Sequence, residues 1–348
     1  MTTADAIITL ELGHYRLREQ IAGSAYGVIW RASGPRATPD VAIKLINREQ
    51  MTRALPAQRA RWIDSASNEI AFLQSLEPWD ERHIVRLLDS GWHDGLPVLA
   101  LELMATDLGK HVAALKASGA GLPFGRALAW IGQLNQALAK VHQYGWRYLD
   151  LKPANVLLDP LLGSVKLADF GTNRELGGAT LHSYAGTANW QAPEQFFPGA
   201  DGSYASGAGS DYFSLGALFY FLVTGGVPLR FCADCGSAYR AHHTAGAAVL
   251  RQAHGGAIPA ALQADEERHF AERIGQTHPQ ARLPALALLR ALLQPDPAQR
   301  PRHAIQISRM LAAIQGSLPT RGASPVQELI HGMGRPTAGN AWRSIQGA

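Results

Sequence analysis

Cysteine is nearly absent. The 348 residues hold two, Cys232 and Cys235. One such pair is no disulfide framework of a secreted domain, so a reducing compartment and a cytoplasmic location are expected. Lysine is scarce as well: six occur, at positions 44, 110, 116, 140, 152 and 166, and the rest of the 32 basic residues are arginine. A lysine that closes an apolar run therefore stands out. No long apolar run exists either. The longest, over 212–223, is interrupted by Ser214 and Gly216; it is too short to span a bilayer and reads as a helix buried on all sides. The first twelve residues carry Asp5 and Glu11 without a basic-then-apolar pattern, which argues against a secretory leader. A formal charge of +4 is a modest excess that calls for no nucleic-acid partner, and neither a nucleic-acid module nor a repeat of solenoid period is visible.

What is present is an ordinary apolar fraction, 47%, enough for a sizeable core. The first hundred residues are strand-rich, with short apolar runs at 28–30, 41–43 and 98–101 bounded by turn residues. One helix lies between them, marked by Trp62, Ala66, Glu69, Ile70, Leu73 and Leu76 at helical spacing, with Pro78 beyond its end. From about Leu108 the pattern turns helical. Leu128, Ile131, Leu134, Leu138 and Val141 form an apolar stripe. Brief strands follow near 156–158 and 165–167, then the buried helix, a Gly/Ala/His-rich stretch over 225–259, and helices near 284–293 and 303–314. The expected architecture is α+β: a small β-rich lobe with one key helix, then a larger α-helical lobe, with the boundary near Met104. The division predicts an N-terminal extension over 1–14, a main domain over 15–314 (lobes 15–104 and 105–314) with an insertion at about 225–280, and a loosely ordered tail over 315–348.

Six segments carry chemistry, and their order matters more than any one of them. Val41-Ala42-Ile43-Lys44 puts a lysine on a strand, with Ala42 and Lys44 on one face. Glu69 on the following helix is a candidate ion-pair partner. Asp150-Leu151-Lys152-Pro153-Ala154-Asn155 gathers a carboxylate, an ammonium and an amide in a loop that Pro153 helps to fix. Ala168-Asp169-Phe170-Gly171 follows the strand ending at Leu167. Ala192-Pro193-Glu194 and Asp211-Tyr212-Phe213-Ser214-Leu215-Gly216 come next, and Asp296-Pro297 precedes Gln299-Arg300-Pro301.

This series resembles the signature set of the protein kinase superfamily, of the bacterial, eukaryotic-like Ser/Thr type, across about 15–314. The resemblance implies a bilobal kinase fold and transfer of the γ-phosphoryl of ATP, with Mg²⁺ or Mn²⁺, to a protein Ser/Thr hydroxyl. Lys44, oriented by Glu69, would hold the α/β-phosphates. Asp169 and Asn155 would ligate the metal. Asp150 would orient the acceptor hydroxyl and take its proton, with Lys152 balancing charge at the γ-phosphate. Ala22, Gly23, Ser24, Gly27 and Ile29 correspond to the phosphate loop. Ala42 belongs to the nucleotide site, Leu101 to the gatekeeper position, and Glu102, Leu103 and Met104 to the hinge that binds adenine. Glu194 and Arg300 resemble a buried structural pair, and Asp211 an anchor of the catalytic-loop backbone. Thr187 resembles the threonine that contacts the catalytic aspartate in Ser/Thr kinases.

Departures from the pattern keep a second reading open, that of a pseudokinase acting as an ATP-binding interaction module. Ala22 and Ser24 stand where glycines are usual, and a Cβ there costs on the order of 1 kcal/mol if the backbone needs φ > 0. Tyr148-Leu149-Asp150 stands where His-Arg-Asp is usual. Leu149 cannot pair with a phosphorylated loop residue, so activity independent of phosphorylation at Thr172, Thr180, Ser183 or Tyr184 is expected. Trp190 replaces a usual tyrosine. Cys232-Ala233-Asp234-Cys235 with His242-His243 is a weak zinc pattern; a metal-free surface insertion that offers a partner a docking site is the preferred reading.

Overall fold

A computed structural model describes residues 4–24, 27–35, 39–159, 163–176, 181–182 and 186–318. The small lobe is a six-stranded antiparallel sheet in the order β1-β2-β3-β4-β6-β5. Its strands are β1 (Ile7–Thr9), β2 (His14–Gly23), β3 (Gly27–Ser33), β4 (Val41–Ile46), β5 (Leu87–His93) and β6 (Leu96–Glu102). Helices α1 (Arg48–Arg53) and α2 (Pro56–Ser75) lie between β4 and β5. Pro56 opens α2 where a missing N–H is harmless, and the Gln58 side chain accepts the Leu55 N–H at 3.1 Å. The helix buries Glu69, Phe72 and Leu73.

The chain crosses to the large lobe after β6. β7 (Thr106–Asp107) pairs with β9 (Val156–Asp159), which pairs with β10 (Ser164–Leu167). Helix α3 (Leu108–Ala117) starts on an Asp107 cap, whose side chain accepts the Lys110 N–H. The striped segment is α4 (Phe124–Gln143), with Leu128, Ile131, Leu134, Leu138 and Val141 all buried. β8 (Trp146–Arg147) pairs with β11 (Arg174–Glu175), and β12 (Leu181–His182) with β13 (Tyr204–Ala205). After the short α5 (Pro193–Phe196) comes α6 (Ala208–Val223), buried from Ser210 to Tyr220 and again at Leu222 and Val223. The remaining helices are α7 (Arg230–His242), α8 (Gly246–Ala253), α9 (Ala264–Gly275), α10 (Arg282–Leu292) and α11 (Ala304–Gly316). One apolar cluster runs from Ala42, Phe72 and Leu101 in the small lobe through Phe170 into the large-lobe helices, and a second fills the outer small lobe. Among the described residues no helix is long and apolar enough to cross a membrane.

Two expectations need correcting. Residues 4–14 do not stand apart from the small lobe as an extension: Ile8 and Leu10 are buried in its outer core. β1 pairs with β2 at one edge of the sheet, and the chain then reaches β5 at the other, where the Leu12 N–H and the Tyr15 hydroxyl both donate to Asp89 Oδ2 at 2.9 Å. The 225–280 region is not a surface insertion either. α7 to α9 bury Phe231, Cys232, Cys235, Phe270 and Ile274 in the main core, and Phe231 packs edge-on against Phe213. Both thiols are buried, and burial pushes their pKa values well above the ordinary range. Among the described residues no three His, Cys, Asp or Glu side chains gather as a metal cage. Thr180, Ser183, Tyr184 and the tail beyond Leu318 lie outside the described residues.

Because Ile8 is fully buried, Ile8→Ala is expected to cost about 2–5 kcal/mol of stability. Urea unfolding of the full chain measures this, and a midpoint shift near zero would show that β1 is dispensable.

Candidate active site

The cleft face of the small-lobe sheet is set by register. Ile29 lies opposite Lys44, Lys44 opposite Leu99, and Ala42 opposite Leu101. Cross-strand partners share a face, so Ile29, Ala42, Lys44 and Leu101 line one wall, and Ala22 joins it opposite Ile29. From this wall Lys44 Nζ reaches Glu69 Oε2 at 2.6 Å and Asp169 Oδ1 at 2.7 Å. Glu69 is 1% exposed, and its other oxygen accepts the Phe170 N–H at 3.2 Å. One carboxylate thus binds both the strand lysine and the backbone of the Asp169-Phe170-Gly171 turn. Ser65, one helical turn before Glu69, adds a hydroxyl that donates to the Gly171 carbonyl at 2.6 Å. Below, Phe170 stacks on Phe72 at 4.6 Å and meets Tyr148 edge-on at 5.2 Å.

Electrostatics in this group follow burial and pairing. Burial alone would lower the pKa of Lys44, but Asp169 and Glu69 outweigh it and hold the ammonium charged. Burial lifts Glu69 above the usual carboxylate range against the pull of Lys44. Asp169 is held below it by Lys44. Asp169 sits at φ +61°, a conformation that Asp tolerates better than most residues, and turns its carboxylate back toward the cleft.

The large lobe contributes a second cluster. Asp150 accepts from Thr187 Oγ1 at 2.6 Å, Lys152 Nζ at 2.7 Å and Asn155 Nδ2 at 2.9 Å. Lys152 also donates to Thr187 Oγ1 at 2.7 Å. Burial raises the Asp150 pKa, with Lys152 opposing it. Beneath the loop, the fully buried Asp211 accepts the N–H groups of Tyr148 at 2.9 Å and Leu149 at 2.6 Å, and pairs with His142 Nε2 at 2.8 Å. These charge-assisted bonds hold Leu149 at φ +67°, which costs a bulky residue about 1–2 kcal/mol. Leu149 is buried, and Thr172 donates its hydroxyl to the Tyr148 carbonyl at 3.3 Å.

Farther from the cleft, Arg300 makes a two-pronged pair with Glu194 at 2.7 and 2.9 Å. Its remaining donors reach the carbonyls of Gln294, Gly209 and Pro295, so all five guanidinium N–H groups are satisfied. Trp190 is 9% exposed and packs edge-on against Phe221.

Some candidate residues behave differently from what their motifs suggest. The Glu102 side chain turns to the Arg86 N–H and to Lys166, leaving its backbone to carry any hinge role; Leu103 and Met104 follow it into the crossing. Neither Ala22 nor Ser24 has φ > 0, so the expected strain at these positions does not arise. The Ser24 N–H instead donates to the Gly27 carbonyl at 2.8 Å, and its hydroxyl accepts the Gly27 N–H at 3.1 Å, closing the hairpin beside Gly23. Asn47 donates to the Ser24 carbonyl at 2.9 Å. Ser65 and His142 escape sequence reasoning, because a serine on a helix and a histidine at the end of a stripe carry no local signal.

The donor set suits a hard divalent cation. Asp169 offers a carboxylate that is 49% exposed. Asn155 points its Nδ2 at the Asp150 carbonyl and carboxylate, which leaves its amide oxygen for another partner. Oxygen donors of this kind, completed by phosphate and water, are what Mg²⁺ takes. The family model for the protein kinase domain matches residues 15–310.

Glu194→Ala leaves the fully buried Arg300 cation without its carboxylate. A loss of about 3–5 kcal/mol is expected in urea unfolding, and a loss below about 1 kcal/mol would place the pair among ordinary surface bridges.

Proposed function

Since the chain belongs to the protein kinase family, we propose that it is an active Ser/Thr protein kinase that moves the γ-phosphoryl of ATP to a protein hydroxyl. The observation that carries this reading is the nearness of two clusters, Lys44, Glu69 and Asp169 above and Asp150, Lys152, Asn155 and Thr187 below, with Asp169 close enough to interact electrostatically with both Asp150 and Lys152. ATP enters with its adenine against the wall of Ala22, Ile29, Ala42 and Leu101 and beside the backbone of Glu102 to Met104. Its phosphates lie under Gly23, Ser24 and Gly27, with Lys44 on the α/β-phosphates. Asp169 and Asn155 would hold Mg²⁺, whose charge would offset that of the polyphosphate.

The acceptor oxygen attacks the γ-phosphorus, the bond to the β–γ bridging oxygen breaks, and ADP leaves. Asp150 accepts the hydroxyl proton; its raised pKa makes it a better base than an exposed aspartate. Lys152 balances charge beside it. Thr187 fixes the Asp150 carboxylate and joins it to the segment that receives the peptide, which supports a Ser/Thr acceptor. Glu194–Arg300 and Asp211 keep that segment and the catalytic loop in place. The pseudokinase reading loses the support it drew from strain in the phosphate loop, since Ser24 closes the hairpin without φ > 0.

Regulation follows from Leu149, which is apolar and buried and offers a phosphate no charge-assisted bond. The chain is active without phosphorylation at Thr172, Thr180, Ser183 or Tyr184.

Incubation with labelled ATP and Mg²⁺, followed by phosphoamino-acid analysis, tests the activity and its acceptor. Wild-type protein is expected to give phosphoserine or phosphothreonine, and Asp150→Asn to be slower by about 10²–10⁴-fold. ATP binding without transfer would make the chain a pseudokinase. The combined Thr172→Ala, Thr180→Ala, Ser183→Ala, Tyr184→Phe variant should keep its rate within about three-fold of wild type, under about 1 kcal/mol of barrier; a larger drop restores phosphorylation control. Ser24→Gly should bind ATP no more tightly than wild type, because it removes a hydrogen bond and relieves no strain.

A further inference from the structure

Arg147 is a cation that phosphoryl transfer as described does not use. It closes β8 and is 2% exposed, where a lone arginine in a two-residue strand would ordinarily face water. Its Nη1 donates to the Ser206 carbonyl at 2.9 Å and to the Ser206 hydroxyl at 3.2 Å, and its Nη2 to the Glu175 carbonyl at 2.5 Å. Around it, Arg147 pairs with Arg174 and Trp146 with Glu175, and the Leu176 N–H donates to the Gly145 carbonyl at 2.6 Å.

Three segments therefore meet on one planar fork. The first is β8, which runs into Tyr148, Leu149 and Asp150. The second is β11, five residues beyond Asp169. The third is the lead into α6, the helix that brings Asp211 to the N–H groups of Tyr148 and Leu149. A two-residue strand pair has no stability of its own. A guanidinium reaching carbonyls on two other segments supplies what the pair lacks, and its rigid fork does so with little loss of freedom. Burial works against its charge, and Asp211 lies near enough to oppose that cost.

We infer that Arg147 is a positioning residue for phosphoryl transfer, tying the start of the activation segment to the catalytic loop through backbone carbonyls rather than through a phosphate. It supplies the cation that Leu149 lacks, from two residues upstream and from within the core. The inference rests on the kinase reading for its effect on rate, but not for its effect on the chain.

Two readouts on the full-length protein separate these. Amide hydrogen exchange across 174–176, without nucleotide, reads the tie itself; in Arg147→Met exchange at Leu176 is expected to rise by about ten-fold or more. Steady-state kinetics read the consequence: kcat should fall by about ten- to a hundred-fold while KM for ATP stays within about two-fold, because alignment is lost and not nucleotide contact. Arg147→Lys keeps the charge but has no fork, and is expected to fall between wild type and Arg147→Met in both measurements. Should Arg147→Met not fold, Arg147→Lys against wild type carries the test. Wild-type exchange at Leu176 in either variant overturns the inference whatever the rate, as does a rise in KM for ATP that accounts for the whole loss. If wild-type protein transfers no phosphoryl group, the function reading falls and the exchange result still decides Arg147.

Discussion

One ammonium holds the two lobes in register. Lys44 Nζ lies within 2.7 Å of a carboxylate from α2 and of another from the turn after β10, so the sheet, the helix and the large lobe converge on a single charge. Glu69 is nearly fully buried, and a buried carboxylate that lost its partner would be expensive enough to move α2 or to take up a proton. The pairing therefore constrains the fold itself. It makes the position of α2 conditional on the position of Asp169, and the Phe170 N–H and the Ser65 hydroxyl add hydrogen bonds to the same condition. The apolar column of Phe72, Phe170 and Tyr148 carries it down to the catalytic loop.

That loop is strained, and the large lobe is arranged around the strain. Leu149 sits in a left-handed conformation that its side chain disfavours. What holds it there is a carboxylate on α6, a helix buried along most of its length and therefore with little freedom to move. Arg300 fixes the base of the same helix by binding the Gly209 carbonyl together with Glu194. Each of these buried charges is matched by hydrogen bonds; an unmatched one would favour a rearranged lobe.

The site was legible in the sequence where chemistry restricts residue type, and the fold where hydropathy has contrast. Lys44, Glu69, Asp150, Asn155 and Asp169 could be picked out together because their motifs pair charges and an amide for which few other residue types can substitute. The α4 stripe was clear because leucine, isoleucine and valine alternate there with polar residues. β1 escaped because three residues leave no period to read. α7 and α8 escaped because their buried faces are built from alanine, glycine and cysteine with few larger side chains. At Gly236 a Cβ would come within 2.6 Å of the Asn189 Cβ, so that smallness is a packing requirement and not a turn signal. The conformation of Ser24 was beyond the sequence altogether, since the same residue fits a strained loop or a hydrogen-bonded hairpin. Arg147 was beyond it too, because nothing local tells a buried arginine from a solvated one.

The positions that depart from the family pattern fall into two groups. Ala22 and Ser24 lie at the exposed hairpin end of β2 and β3, whereas Tyr148, Leu149 and Trp190 are all buried side chains. Tyr148 answers for its place with a hydroxyl that bonds to the Ala168 carbonyl and a ring that meets Phe170. Leu149 answers with its backbone alone, and Trp190 with an edge-on contact and a carbonyl that accepts from Ser214. Packing can be satisfied in many ways because it depends on volume and on a few hydrogen bonds. Phosphoryl transfer cannot, because it depends on charges at fixed places. The divergent positions are accordingly ones where packing or a backbone hydrogen bond decides, whereas Lys44, Glu69, Asp150, Asn155 and Asp169 are held by charge and amide pairings that admit few substitutes.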